Sequence, residues 1–433
     1  MKIGNGVFSS DWFSLGRNAE RVGYCIKYWR RRGFVKMLLH LDLTVFGKVI
    51  FTPIVRRCFR PGFGWKGIVA SAKTIELYIT SDCGGGGSDY YLERLIRSGE
   101  KDVLQILVHN TACAKCLYVE AWRDGSLNNR MFIDGLSFFK SLPSEKCRTL
   151  VINELVRWGA YCGSFKTTGM ELRMASDEIF DLAKTLDVKI VYLVHDYFAV
   201  CPRMIFIDSD ECYCGAGLDL GRCRRCLKDS GIDIAEWREA HAELLRGCSE
   251  IRCFSEDSRR RLEAVFGPLD TMTVIEHQPL TRFEPISIPD ASHTVIAVVG
   301  ALCVAKGLRP VERLAHYIEE KNLDAEIVVV GDAPKNSTLH SLARITGRYA
   351  HDDLPKILES YGVNVAFFAS IWPETFSYVT QELMMMNLPL VCLNLGAQAE
   401  RVAKYPRGVI AESDAPEGVW NAICAARRKG GAR

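Results

Sequence analysis

Residues 371–401 read IWPETFSYVTQELMMMNLPLVCLNLGAQAER. The apolar run just before them, Val363–Phe368, reads as a strand that enters a loop carrying Glu374. A helix is expected to start near Thr375–Ser377 with Glu382 inside it, and Leu390–Leu393 is apolar again. Strand, helix and strand in quick succession is the rhythm of a parallel sheet in α/β layers. Eight helical residues rise roughly 12 Å at 1.5 Å each, so one acid stands before the helix N-terminus and the other about two turns deeper. Free N–H groups near Phe376, Ser377 and Tyr378 can hold a diphosphate. A nucleotide-sugar has this layout, with hydroxyls at both ends and an anion between them. The competing reading is two surface glutamates on an ordinary amphipathic helix.

The same rhythm extends in both directions. On the C-terminal side of the chain, candidate strands at Val295–Val299, Glu326–Val330, Val363–Phe368 and Leu390–Leu393 alternate with helical patterns at Arg309–Glu320, Leu339–Ile345 and Tyr378–Met386. Before them lies a polar, Pro-bearing stretch, TRFEPISIPDASH, from Thr281 to His293. Further upstream, strands are expected at Ile75–Thr80, Val103–Val108, Thr149–Asn153, Lys189–Val194, Glu250–Phe254 and Thr273–Glu276. Helical stretches at Asp89–Ser98, Met174–Thr185 and Glu256–Val265 separate some of them. The reading is two Rossmann-like domains, residues 74–285 and 286–433, behind an N-terminal extension, residues 1–73. No internal repeat or low-complexity tract is evident.

A chain of 433 residues exceeds one core of ordinary size, which agrees with two domains plus an extension. Its 48% apolar and 25% charged residues are ordinary for globular proteins. The net charge of +3 hides an asymmetry: residues 1–73 hold 14 Lys/Arg against 3 Asp/Glu, a balance of +11, which leaves −8 for the rest. A basic segment on an acidic body suggests an anionic partner. No long apolar h-region opens the sequence, so no secretory signal is read. MLLHLDLTVFGKVIFTPIV, Met37 to Val55, is interrupted by His40, Asp42, Lys48 and Pro53, which argues against a transmembrane helix. The chain is expected in the cytoplasm, peripheral on the inner face of the membrane if the basic segment docks there. In that compartment its 17 cysteines are read as metal ligands or buried thiols rather than disulfides.

The segment Ile371–Arg401 resembles the E-x7-E signature of family 4 glycosyltransferases, with Pro389 and the turn Gly396–Glu400 in the family's continuation. VVGALCVAKGL, Val298 to Leu308, resembles that family's strand and Lys-Gly turn, with Gly300, Lys306 and Gly307 in register. ITGRYAHDDL, Ile345 to Leu354, resembles the turn that cradles the nucleobase and includes Arg348 and Tyr349. The match is tightest with the branch found in bacterial surface-polysaccharide assembly. It covers residues 295–412 closely, 74–280 loosely and 1–73 not at all. The resemblance implies a GT-B fold with two domains facing a cleft, and a retaining, hexosyl-transferring enzyme that uses no catalytic metal. It implies a nucleotide-sugar donor and a glycan or lipid-linked acceptor. Glu374 would contact the transferred sugar, Glu382 the ribose hydroxyls, and Lys306 the departing diphosphate. A fixed cation facing developing charge in a dry site is worth several kcal/mol. One departure stands out: the family's usual Arg after the first glycine is Ala301 here. Either another basic residue such as Arg401, beside Glu400, substitutes for it, or donor binding is weaker than usual.

In the first domain, DCGGGGSDYYLERL, Asp82 to Leu95, places glycines before a helix start. Consecutive glycines let backbone approach a ligand and the helix start favours anions, and the resemblance implies that Gly85 and Gly86 face the donor diphosphate; a plain flexible turn is the competing reading. VYLVHDYFAVCPR, Val191 to Arg203, ends a strand with His195-Asp196, where α/β proteins bind ligands. The resemblance puts a His or Asp near the reacting sugar; a structural histidine is the alternative. The insert 201–228 carries Cys201, Cys212, Cys214, Cys223 and Cys226. Four thiolates at this spacing, Cys201, Cys214, Cys223 and Cys226, match a structural zinc site, against buried cysteines without metal. A second C-x-x-C, Cys113 and Cys116 near His109, has no partner pair and is left unassigned.

YCIKYWRRRGFVKMLLHLDLTVFGKVIFTPIVRRCFRPGFGW, Tyr24 to Trp65, mixes basic and aromatic residues as an interfacial helix on anionic lipid does. A helical arm packed on the catalytic body is the alternative. No nucleic-acid motif accompanies the charge, so no nucleic-acid partner is expected. Two rival functions remain within the sequence: a nucleotide-sugar epimerase of the same fold, and an inactive sugar-nucleotide-binding scaffold, which Ala301 keeps open.

Overall fold

TIELYIT, Thr74–Thr80, mixes β-branched and aromatic residues suited to a pleated, buried surface and forms strand β1. The structure is a computed structural model that describes residues 64–81, 87–97, 99–110, 117–156, 158, 168–277 and 283–431. Beside β1 runs β2 (Val103–Asn110), buried at every position as a parallel strand covered on both faces must be. Strands β3 (Leu117–Arg123), β4 (Ser126–Ile133), β5 (Cys147–Ile152), β6 (Lys189–Leu193), β7 (Glu250–Cys253) and β8 (Met272–Val274) complete an eight-stranded sheet of order β4-β3-β2-β1-β5-β6-β7-β8. The strands from β2 to β7 by way of β1 pair in parallel, and β3 and β4 add an antiparallel hairpin at one edge.

That hairpin was not expected from sequence. Its turn is Asp124-Gly125, both residues at positive φ (51° and 71°), the dipeptide that a two-residue turn of matching twist favours. The signal was therefore present in the dipeptide and in the flanking apolar residues.

Helix α1 (Trp65–Ser71) lies within the stretch assigned to the basic extension, yet Trp65 and Val69 are buried. The Trp65 ring is 5.7 Å from Phe138 and 6.4 Å from Phe139. Residues from Trp65 onward thus pack with the first domain. It continues through α2 (Gly87–Arg97), α3 (Gly169–Leu186), α4 (Leu220–Leu227) and α5 (Ile234–Gly247). Thr168 and Glu171 close a reciprocal capping box at the start of α3, which satisfies two backbone donors there. Helix α6 (Glu256–Phe266) follows β7.

The second sheet contains β9 (Thr294–Val299), β10 (Ala325–Val330), β11 (Arg344–Ile345), β12 (Val365–Phe368), β13 (Leu390–Leu393) and β14 (Gly408–Ala411). All pairings are parallel and the order is β11-β10-β9-β12-β13-β14. Chain order thus reverses between β9 and β12, the point outside whose strand ends such sheets bind ligands. Alternating residues fill two cores. Ile296, Val298, Val329 and Phe367 pack on one face with α7 (Leu308–Glu320) and α11 (Pro416–Gly431). Val295, Ala297, Val328 and Phe368 pack on the other with α8 (Leu354–Ser360), α9 (Tyr378–Met385) and α10 (Gly396–Lys404).

The chain divides into two compact units, but a single cut does not separate them. The first comprises the described residues up to Pro202, Asp219–Arg252 and Pro268–Thr273; the second comprises Arg203–Leu218, Cys253–Gly267 and Val274 onward. The Cys-rich insert 201–228 is itself split, and α6 belongs with the second unit. From Phe283 the linker packs on the second core, with Ile286 N–H donating to Met386 O at 3.2 Å. Among the described residues no helix is long and apolar enough to cross a membrane.

Candidate active site

Two loops leave the second sheet where its strand order reverses, one after β9 and one after β12. The β9 loop starts at Gly300 (φ 122°), whose N–H donates to Val330 O at 2.9 Å, and ends at Gly307 (φ 84°). A Cβ on Gly307 would stand 1.9 Å from Ala369 O, so this crossing of the two loops requires glycine. The loops are stitched together: Ala305 O accepts from Ile371 N at 3.0 Å and from Ser370 Oγ at 3.2 Å.

This stitching brings together two residues that the sequence proposed separately. Lys306 Nζ forms an ion pair with Glu374 Oε1 and lies 5.9 Å from the centre of the Trp372 ring. Glu374 is only 5% exposed, whereas Lys306 is half exposed. A carboxylate so far from water needs its partner, because an unpaired buried charge is costly.

Helix α9 begins at Ser377, whose Oγ caps Thr380 N. Glu382, in the helix's second turn, is 8% exposed and accepts a hydrogen bond from His351 Nε2 at 2.8 Å. Both glutamates are thus buried and each faces a cationic or protonatable side chain, which removes the reading of two surface acids. His351 sits in the turn after β11, and the Glu382 carboxylate raises its pKa above the ordinary value. Nothing local in the sequence marks His351 as the histidine that meets an acid 31 residues away. In the same turn Arg348 is exposed and pairs with Asp332 at 2.9 Å, while Tyr349 packs on the second core.

Phe376 is stacked on His277 (centroids 4.2 Å, 18° between planes). The Arg401 guanidinium lies over the Phe376 ring at 4.5 Å. Arg401 Nε, cut off from water, has no hydrogen-bond partner among the described residues, and burial lowers the group's pKa. Its neighbour Glu400 turns to the start of α6, where Oε2 accepts from Asp257 N at 3.1 Å.

In the first domain the carboxyl ends of β1, β5 and β6 gather Thr80, Asn153 and His195. His195 Nε2 lies 3.0 Å from Asn153 Oδ1, and Asn153 Nδ2 donates to Thr80 Oγ1 at 3.1 Å. The Tyr91 ring from α2 meets the imidazole edge-on at 5.0 Å. Beside it, loss of water pushes the Asp196 carboxyl up to about 6, opposed by the Phe198 N–H it accepts. Gly85 and Gly86 lie outside the described residues, as do Cys113 and Cys116.

The zinc expectation concerns Cys201, Cys214, Cys223 and Cys226. Among the described residues no group of three or more His, Cys, Asp or Glu could hold a metal ion. Cys201 follows β6 and is buried, Cys214 comes directly after the Ile207–Tyr213 bridge, and Cys223 and Cys226 ride on α4. Cys214 counts with the second unit and the other three with the first. Cys223 Sγ accepts from Arg238 Nη2 at 3.8 Å.

Two α/β domains, the second with a Rossmann strand order and buried acids at its switch point, define the GT-B class. Residues 293–428 match the family described as Glycosyl transferases group 1. Among solved structures, HepE of Anabaena in complex with UDP-glucose is similar at 13% identity and TM-score 0.50, over 82% of this chain and 91% of that one. Sucrose-phosphate synthase from Thermosynechococcus elongatus is similar at 14% identity and TM-score 0.52, over 83% and 92% respectively. Among curated proteins nothing matches the chain.

Proposed function

We propose that this protein is a retaining glycosyltransferase of family 4 type, moving a hexose from a nucleotide-diphosphate-sugar to a glycan or lipid-linked acceptor. The observation that carries this reading is the pair of buried acids at the switch point, Glu374 held by Lys306 and Glu382 held by His351. Glu374 would bind hydroxyls of the transferred sugar and Glu382 those of the ribose. Between them the first N–H groups of α9 and the Lys306 ammonium would face the diphosphate. Transfer then needs no catalytic metal, since Lys306 meets the charge that develops on the leaving phosphate.

Arg401 would supply the second phosphate cation that Ala301 lacks. Its desolvated guanidinium, without a hydrogen bond on Nε among the described residues, supports this, because an anion would complete it. The His195–Asn153 pair would lie on the acceptor side. The basic N-terminal residues would dock the enzyme on anionic lipid. The relative solved with UDP-glucose supports a nucleotide-sugar as donor.

The test is a thermal-shift panel of nucleotide-sugars followed by product analysis. Ligand at a hundred times its Kd stabilises by about 2.7 kcal/mol, enough for a shift of a few degrees. Transfer or hydrolysis with retention at the anomeric carbon supports the proposal. Conversion of donor alone to an epimer would make the protein an isomerase, and binding without turnover a scaffold.

A further inference from the structure

The Glu374 carboxylate is aimed by its backbone, and that backbone is gripped from below by α10. Gly396 (φ 66°) opens this helix, and a Cβ there would stand 2.5 Å from Pro373 Cα and 2.6 Å from Glu374 N. Ala397 N–H donates to Glu374 O at 2.8 Å. The remaining link is a side chain. Gln398, 0% exposed, accepts from Glu374 N–H on Oε1 at 3.1 Å and donates from Nε2 to Trp372 O at 2.9 Å. The partners fix which end of the amide is which, since the reverse would set donor against donor and oxygen against oxygen.

Pro373 has no N–H of its own, so the tripeptide Trp372-Pro373-Glu374 cannot hold itself by a local turn through that residue. The Gln398 amide bridges both sides of it, as a neighbouring strand would. Trp372, thus fixed, also lies against the Lys306 ammonium.

We infer that Gln398 is a positioning residue for Glu374, setting the carboxylate's place through the backbone on both sides of Pro373. This rests on the proposed role of Glu374 as the sugar-contacting acid. It acts through Glu374 and touches no substrate. Leucine fills similar volume and makes neither hydrogen bond. Glutamate keeps the acceptor for Glu374 N–H, but its ionised form sets a second oxygen against Trp372 O. Its protonated form restores the donor.

The experiment uses the full chain with Gln398→Leu and Gln398→Glu, and reads hydrogen exchange at the peptide spanning Trp372–Phe376 alongside turnover of the donor found active. Gln398→Leu should speed exchange there by about tenfold or more, as expected when a buried N–H loses its partner. Its kcat should fall by about a hundredfold, the effect of roughly ångström-scale misplacement, with donor KM changed far less. For Gln398→Glu, kcat relative to wild type should rise as pH falls, as should the protection of this peptide. Unchanged exchange and turnover in Gln398→Leu, or flat pH profiles for Gln398→Glu, overturn the inference. Should Gln398→Leu fail to fold, the Gln398→Glu profiles decide. Should wild type turn over no donor, the transferase reading falls, while exchange still judges the positioning by itself.

Discussion

His351 Nε2 stands 2.8 Å from Glu382 Oε1, across 31 residues of sequence. The pair joins the turn after β11 to helix α9, and it holds one oxygen of the acid assigned to the ribose.

The pair makes stability depend on pH with a defined sign. Glu382 raises the imidazole's pKa above 6.5 in the folded chain. A raised cationic pKa means stabilisation fully present below 6.5 and lost as pH rises through the folded value. Asp352 Oδ1, 3.8 Å from His351 Nδ1, acts in the same direction. Melting temperatures of wild type and His351→Gln should therefore converge above the folded pKa. A gap that widens with rising pH would contradict the ion pair.

The two acids should separate kinetically. Glu374→Gln is expected to abolish transfer with little effect on folding, while Glu382→Ala should mainly raise the donor Kd. Wild-type turnover in both would remove the donor-site assignment.

Lys306→Met leaves the Glu374 carboxylate buried without its cation. Because Lys306 is half exposed, the expected loss is about 1–3 kcal/mol rather than the larger cost of a fully buried pair. Adding Glu374→Gln should recover most of that stability and none of the activity. Denaturant midpoints of the two single variants and the double variant give the coupling.

Arg401→Met keeps a flexible chain over Phe376 and removes the charge. Donor Kd should rise at least about tenfold, which corresponds to 1.4 kcal/mol. Ala301→Arg in that background should restore tight binding if Arg401 stands in for the missing cation. Calorimetry with the nucleotide diphosphate reads both, and an unaltered Kd in Arg401→Met would leave Arg401 a packing residue.

Full-length protein should sediment with vesicles containing anionic lipid, less so at high salt. The matched truncation should begin at Gly64 rather than Thr74, because Trp65 belongs to the first core. Equal sedimentation of the two at low salt would make the basic residues structural.

Local signals determined much of this protein. Apolar runs and helical periods located β9, α7, β10, β12, α9 and β13, because such patterns depend only on near neighbours in sequence, whereas β11 falls inside a stretch read as helical and α8 was not marked. The β3–β4 hairpin is legible in Asp124-Gly125. Other features needed the tertiary structure. Lys306 and Glu374 are 68 residues apart, and they meet because the strand order reverses between β9 and β12, which no local pattern encodes. Burial made the glutamates ion-paired rather than surface acids, and it gave His351 and Gln398 their roles. Spacing along the chain constrains distance only within one element, and beyond it sheet topology decides which side chains meet.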